Sequence, residues 1–220
     1  MTTSFVSILI IVHAFLGGVS LLSGSTSMFT KKGSSMHKKS GLVFSWSLVL
    51  ASLLAIPVTF QPGHKNLFLF IIAFFSIYLV LSGNRALRFK TKLNKASWVD
   101  YLISGVMIVF SIAFIYFGVS PVFLGDGEIK FLFLFFGCLS LFLAIPDFFF
   151  YKSGHLKSGL WLRTHISKLM GAYIASWTAF LLTALQTNSI LVWILPSVLG
   201  TIFIVYWQRK VRKKSLYNRL

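Results

Sequence analysis

Apolar residues run along this chain in long blocks that are separated by short polar segments, most of them basic. A helix needs about 20 predominantly apolar residues to cross a bilayer core about 30 Å thick. Windows of that length predict seven membrane-spanning helices, at 4–24, 41–60, 66–83, 98–119, 131–150, 166–186 and 189–207. Because backbone polar groups in lipid must be satisfied within the segment, each block is predicted to be helical. We therefore predict an all-α integral membrane protein that forms one helical bundle over residues 1–220.

The composition supports the same class of protein. Hydrophobic residues make up 56% of the chain and charged residues 11%, whereas soluble domains carry about 25% charged residues. This leaves too little polar surface for a soluble globule of this length. The single cysteine, Cys138, lies in an apolar block without the paired spacing of a zinc or redox motif, so we expect it to be a packing residue.

The basic residues alternate in a way that predicts orientation. Segments 25–40, 84–97 and 151–168 contain four, five and four Lys or Arg, and the tail 208–220 contains six. The three other connections contain one, one and none. Since cytoplasmic segments carry the Lys/Arg excess, we predict the amino terminus outside and a basic tail inside.

The formal charge of +17 raises the question of nucleic acid, because a basic footprint is typical of phosphate binding. Here the charges lie between apolar blocks, with no soluble basic domain to carry them, so nucleic-acid binding is not expected. Basic clusters beside membrane spans attract anionic lipid headgroups, at about 1 kcal/mol per residue. The lipid bilayer and these headgroups are the expected partners.

Ionisable residues within membrane spans are costly and indicate functional sites. His13 is the deepest, about 13 Å from the outer end of its span at about 1.5 Å per residue. Either a hydrogen bond to a hydroxyl or carbonyl of a neighbouring helix, for example at Ser47 or Ser52, or a bound group could compensate its burial.

A second set of polar residues converges on the predicted cytoplasmic face. Its members are His37, Arg85, Asp100, Asp147, Arg163 and His165. One interpretation is that arginines neutralise the two carboxylates and fix helix ends. The other is a polar pocket that opens to the cytoplasm. His64 and His155 lie in connecting segments and are expected to be solvated.

Three functional hypotheses remain open. The first is cofactor binding, with haem b as the preferred candidate, His37 and His165 as preferred ligands and His13 as a further candidate, because membrane cytochromes hold haem between imidazoles. The second is a non-catalytic membrane protein that contacts lipid or a partner. The third is a metal-dependent hydrolase using His37, Asp147 and His165, although the chain lacks an H-x-x-x-H pair.

Two other classes of membrane protein are not expected. No carboxylate lies at the middle of a predicted span, as ion-coupled transport would require. We also predict no lysine inside a late span that could carry a retinal Schiff base.

Several segments together resemble a known family. Three parts of the chain are similar to a widespread group of uncharacterised bacterial multi-pass membrane proteins with a domain of unknown function. They are the stretch "VHAFLGGVSLLSGSTSMFTKKGSSMHKKSGLVF", the loop "LSGNRALRFK" with the later "WVD", and "RTHISKLMGAYIASWTAFL" before "WILPSVLGTIFIVYW". The resemblance covers most of the chain and implies a cell-membrane protein without a defined activity. The family pattern corresponds here to His13, His37, Arg85, Asp100, His165, Met170, Gly171 and Tyr173. "AIPDFFF" and "YKSGHLKSGL" match it less well.

Overall fold

The computed structural model describes residues 3–61, 66–91, 95–121, 127–153, 159–186 and 189–217. These residues form seven α-helices and one 3-10 helix, Leu87–Lys90, and contain no β-strand. The α-helices are α1 Thr3–Phe29, α2 Ser35–Val58, α3 Leu67–Ala86, α4 Trp98–Val119, α5 Gly127–Ser153, α6 Leu160–Leu185 and α7 Ile190–Tyr217. All seven are long and apolar enough to span a membrane. The all-helical class is thus confirmed for the described residues, as are seven helices of sufficient length and apolarity to span.

Several helices continue past the apolar blocks that predicted them. α1 ends at Phe29, α6 begins at Leu160, and α7 continues through the basic residues to Tyr217. A hydropathy window stops where charged residues begin, whereas helical hydrogen bonding continues until a turn or cap interrupts it. The earlier start of α6 places Arg163 and His165 inside a helix, two turns or less before Lys168.

The helices form two compact units. The first unit comprises Met1–Ile77 and Ala172–Val198, and the second comprises Tyr78–Gly171 and Leu199–Leu220. In the first, α1 packs along α2, and in the second, α4 packs along α5. The boundaries between units fall within α3, α6 and α7, so each of these helices contributes to both. A single bundle stays a prediction.

Small residues allow α4 and α5 to approach closely. A Cβ atom on Gly137 would lie 3.0 Å from the Ser111 carbonyl oxygen, and one on Gly118 would lie 2.9 Å from the Leu134 backbone nitrogen. In membranes, such close approach supplies the packing that holds helices together. The contact fixes the register of α4 against α5, and both helices contribute side chains to the polar cluster described below.

A tight connection joins α1 to α2. Gly33 adopts a left-handed conformation with a φ of 82°, and the Ser34 hydroxyl caps α2 by accepting from the His37 backbone N–H at 3.2 Å. The Lys32 ammonium donates to the carbonyls of Ser27 and Met28 in the last turn of α1. Burial lowers the pKa of Lys32 from its usual value. These contacts satisfy helix-terminal groups that would otherwise lack partners.

Candidate functional site

An ion pair lies buried inside the second unit. Asp147 on α5 and Lys168 on α6 are only 3% and 5% exposed, and the Lys168 Nζ lies 2.5 Å from the Asp147 Oδ2. Charges removed from water require compensation by close partners. Inside a membrane span, such groups are default candidates for function.

Hydroxyl groups from two other helices complete the surroundings of the carboxylate. The Tyr78 hydroxyl on α3 and the Ser104 hydroxyl on α4 each lie 2.8 Å from the Asp147 Oδ2. Because the single serine proton points to the carboxylate, the Tyr151 hydroxyl, 2.8 Å from the Ser104 Oγ, acts as the donor in that contact. Asp147 therefore connects four helices of the second unit.

The ammonium group of Lys168 is also fully engaged. Besides Asp147, it donates to the Tyr78 hydroxyl and lies 3.4 Å from the Leu143 carbonyl oxygen. It also sits 4.2 Å from the centroid of the Tyr78 ring, a cation–π arrangement. The three ammonium hydrogens therefore have three acceptors, so the pair is compensated locally.

A cavity of about 340 Å³ opens beside this pair, between α5, α6 and α7 of the second unit. We call it the Arg163 cavity. Its apolar wall consists of Phe142, Leu143, Pro146, Phe149, Phe150 and Leu160, and its polar wall consists of Asp147, Arg163, Thr164, Ser167, Lys168 and Gln208. Phe142 and Phe149 are 73% and 69% exposed. The apolar side of the cavity therefore borders the outer apolar surface of α5.

Arg163 is the one cation of this cavity whose charge is not compensated by a described residue. Its Nε is buried without a hydrogen-bond partner, and its Nη2 lies at a long 3.4 Å from the Gln208 Oε1. The Gln208 amide is held by the Ser167 hydroxyl at 2.5 Å, and that hydroxyl donates to the Arg163 carbonyl at 2.9 Å. The ion pairs among the described residues use both Asp100 and Asp147 with other cations.

The second predicted carboxylate, Asp100, lies in a separate cluster at the start of α4. Arg85 binds it through Nε at 2.5 Å and also reaches the Ser97 hydroxyl at 2.7 Å. The Asp100 carboxylate accepts from the Ser97 backbone N–H at 2.7 Å, which caps the helix. This arrangement matches the helix-fixing interpretation for Arg85 and Asp100. Neither residue lines the Arg163 cavity.

Each of the three described histidines has its Nδ1 beside a backbone carbonyl. The distances are 2.8 Å from His13 to Ala51, 2.9 Å from His37 to Ser27 and 3.0 Å from His165 to Gly83. A carbonyl can only accept, so Nδ1 carries a proton in each of these contacts. His37 belongs to the first unit and His165 to the second. His64 and His155 lie outside the described residues.

The structure corrects two expectations from the sequence. The partner of Asp147 is Lys168 rather than an arginine. The prediction that no late span contains a lysine was wrong, because Lys168 lies in the third turn of α6 and is buried. The expected hydrogen bond from His13 to a neighbouring helix is present, but its acceptor is the Ala51 carbonyl, and the Ser47 hydroxyl binds within its own helix, to the Val43 carbonyl.

A signal for the missed residues was present in the sequence. Leu160, Thr164, Ser167 and Lys168 follow helical spacing, so they share one face once α6 is allowed to begin at Leu160. All four line the Arg163 cavity. Tyr78, Ser104 and Gln208 had no comparable signal, because an isolated hydroxyl or amide in an apolar helix usually bonds to its own backbone or faces solvent.

Comparisons with known proteins add no assignment. No family model matches the chain, no curated protein is similar to it, and no solved structure matches it. Among the described residues, no group of three or more His, Cys, Asp or Glu side chains is arranged to hold a metal ion. The metal-dependent hydrolase hypothesis therefore gains no ligand set from this part of the chain.

Proposed function

We propose that this protein binds a small amphiphilic molecule of the membrane in the Arg163 cavity. The observation that carries the proposal is the two-sided wall of that cavity, aromatic and aliphatic on one side and charged on the other. Its volume of about 340 Å³ falls within the range of ligand pockets, about 300–1,000 Å³. A cavity of this volume can hold a polar headgroup and the first carbons of an acyl chain.

The position of the exposed phenylalanines supports entry from the lipid. Phe142 and Phe149 form part of the wall and also face outward from α5. A molecule dissolved in the bilayer can thus reach the polar wall with its chain still in an apolar environment. Pro146 lies between them in the sequence and removes one helical hydrogen bond, which loosens α5 beside the cavity.

Binding of a fluorescent fatty acid to the purified protein in phosphatidylcholine nanodiscs tests this proposal. We expect saturable binding that unlabelled oleate and its neutral analogue oleamide both displace. Thr164→Phe places a ring in the cavity and should weaken binding at least tenfold. Thr183→Phe makes the same change at an exposed site on the same helix and should leave it unchanged. Absence of saturable binding, or equal affinity in all three proteins, would reject the proposal.

A second candidate is haem b bound through histidine, with His37 and His165 as the preferred ligands and His13 as a further one. It is favoured by the Nδ1–carbonyl contacts, because metal-binding histidines commonly donate one ring N–H to a backbone carbonyl that orients the ring. No histidine lines the Arg163 cavity among the described residues, so the two candidates concern different sites.

An absorption spectrum separates this candidate from the first. Purified protein from cells supplied with a haem precursor should show a Soret band and, after reduction with dithionite, α and β bands. His37→Ala or His165→Ala should remove the bands and leave the protein in the membrane. A protein that stays colourless after haem titration contradicts haem binding and leaves the amphiphile proposal untouched.

We also propose that the amino terminus faces outward and the carboxyl terminus faces the cytoplasm of a bacterium, in its inner membrane. The distribution of basic residues supports this orientation. In that orientation, the start of α6 and the Arg163 cavity lie toward the cytoplasmic leaflet. Anionic headgroups are the expected partners of the basic segments there.

A further inference from the structure

We infer that the Arg163 cavity recognises an anionic group, a carboxylate or a phosphate, and that Arg163 is the residue that binds it. This inference rests on the proposed amphiphile function and names the chemistry of the headgroup. Its starting point is the buried Arg163 Nε, a donor without an acceptor among the described residues. A buried donor of this kind is costly unless a ligand completes it.

The charges that line the cavity favour an anion over a neutral or cationic ligand. Lys168 and Asp147 compensate each other at 2.5 Å, and Tyr78 and Ser104 also donate to the same carboxylate oxygen. The guanidinium of Arg163 therefore adds one positive charge to the cavity that no described carboxylate neutralises. In a site bordered by apolar side chains, that charge attracts an anion more strongly than it would in water.

The geometry of the polar wall fits an oxygen acceptor that takes two hydrogen bonds. Guanidinium donors form a planar fork that matches a carboxylate or phosphate. The contact from Nη2 to Gln208 is long, at 3.4 Å, and is easily exchanged for a charged acceptor. Gln208 itself stays anchored through its Nε2 to the Ser167 hydroxyl. The guanidinium is therefore supported from α7, on a residue that lines the cavity.

The test compares three probes on the wild-type protein in phosphatidylcholine nanodiscs: oleate, oleamide and inorganic phosphate. Oleate and oleamide share a chain and differ in charge. We expect oleate to displace the fluorescent fatty acid at a concentration at least tenfold lower than oleamide. Equal displacement by the two overturns the anion inference and leaves the proposed function standing. Displacement by neither overturns both.

Inorganic phosphate separates a lipid headgroup from a free anion. We expect phosphate at millimolar concentration to displace the probe weakly, because it lacks the chain that contacts Phe142 and Leu160. Displacement by phosphate at a lower concentration than oleate would assign the site to a free anion. That result keeps Arg163 as the recognition residue and overturns its assignment to an amphiphile.

Arg163→Gln removes the charge and keeps hydrogen-bonding capacity. It should abolish the tenfold preference for oleate while oleamide still binds. Arg209→Gln removes one charge from an exposed neighbour of Gln208 on α7 and should keep the preference. A preserved preference in Arg163→Gln overturns the role of Arg163. If that variant cannot be purified, Arg163→Lys replaces it, because lysine keeps the charge and loses the planar fork of donors. This variant should show an intermediate preference for oleate over oleamide. A preference as large as that of the wild type would overturn the role of the fork.

Discussion

At the scale of single residues, the Arg163 cavity is lined by one compensated ion pair and by one cation without a counter-ion among the described residues. Asp147 and Lys168 are buried, and their polar atoms have hydrogen-bond partners. The pair therefore stabilises one arrangement of the four helices α3, α4, α5 and α6. Arg163 lies on the same helix as Lys168 and lines the same cavity, yet its Nε has no partner among the described residues. This contrast is the reason for assigning Lys168 to stability and for proposing Arg163 as the binding residue.

The Asp147–Lys168 pair predicts a large loss of stability when one partner is removed. Lys168→Met leaves the carboxylate buried without its cation and should destabilise the protein by about 3–5 kcal/mol, the usual cost of breaking a buried pair. Adding Asp147→Asn removes the orphaned charge and should restore most of the loss. The measurement is unfolding by sodium dodecyl sulfate in mixed micelles. The control is Lys213→Met at an exposed position of α7, which should behave as wild type. A double variant no more stable than the single one would contradict the explanation.

At the scale of helices, the apolar blocks of the sequence predicted which segments are helical but not where the helices end. The block 166–186 left Arg163 in the preceding segment and put Lys168 at the edge of the span, whereas α6 begins at Leu160 and includes both. Hydropathy describes the transfer of an isolated side chain from water to lipid. It therefore overestimates the cost of burying a lysine that is paired with a carboxylate from another helix. Such a partner is distant in sequence, so the pair with Asp147 could not be read from local pattern.

The connection between α1 and α2 gives a prediction about backbone strain. Gly33 has a φ of 82°, and a Cβ there would meet no atom within 4 Å. Gly33→Ala should therefore cost about 1–2 kcal/mol from conformation alone, without a steric clash. Gly105→Ala also meets no atom within 4 Å, but it lies within α4, so it should be neutral or stabilising. Both are measured by thermal unfolding in detergent, and equal melting temperatures for the two variants would contradict the strain argument.

At the scale of the whole molecule, the proposed orientation depends on the seven helices that are long enough to span a membrane and on the basic residues between them. Lys168 is buried in α6, so it no longer counts among the basic residues of the segment that precedes this helix. The large excess of basic residues in the alternate connections remains. With an odd number of spans the two termini lie on opposite sides, and the proposed orientation places the basic tail inside.

This orientation predicts how two connections react with a membrane-impermeant maleimide. The chain has one cysteine, Cys138, so Cys138→Ser supplies a background without thiols. In that background, Gln61→Cys follows α2 on the predicted outer side and should be labelled in intact spheroplasts. Thr91→Cys follows α3 on the predicted inner side and should react only after the membrane is permeabilised. Because α3 lies between the two positions, they must be labelled from opposite sides if α3 spans the membrane. Which of the two cysteines reacts in intact spheroplasts then reports the orientation. Reversed labelling would place the start of α6 and the Arg163 cavity toward the outer leaflet, and the source of its anionic ligand would then be sought outside the cell.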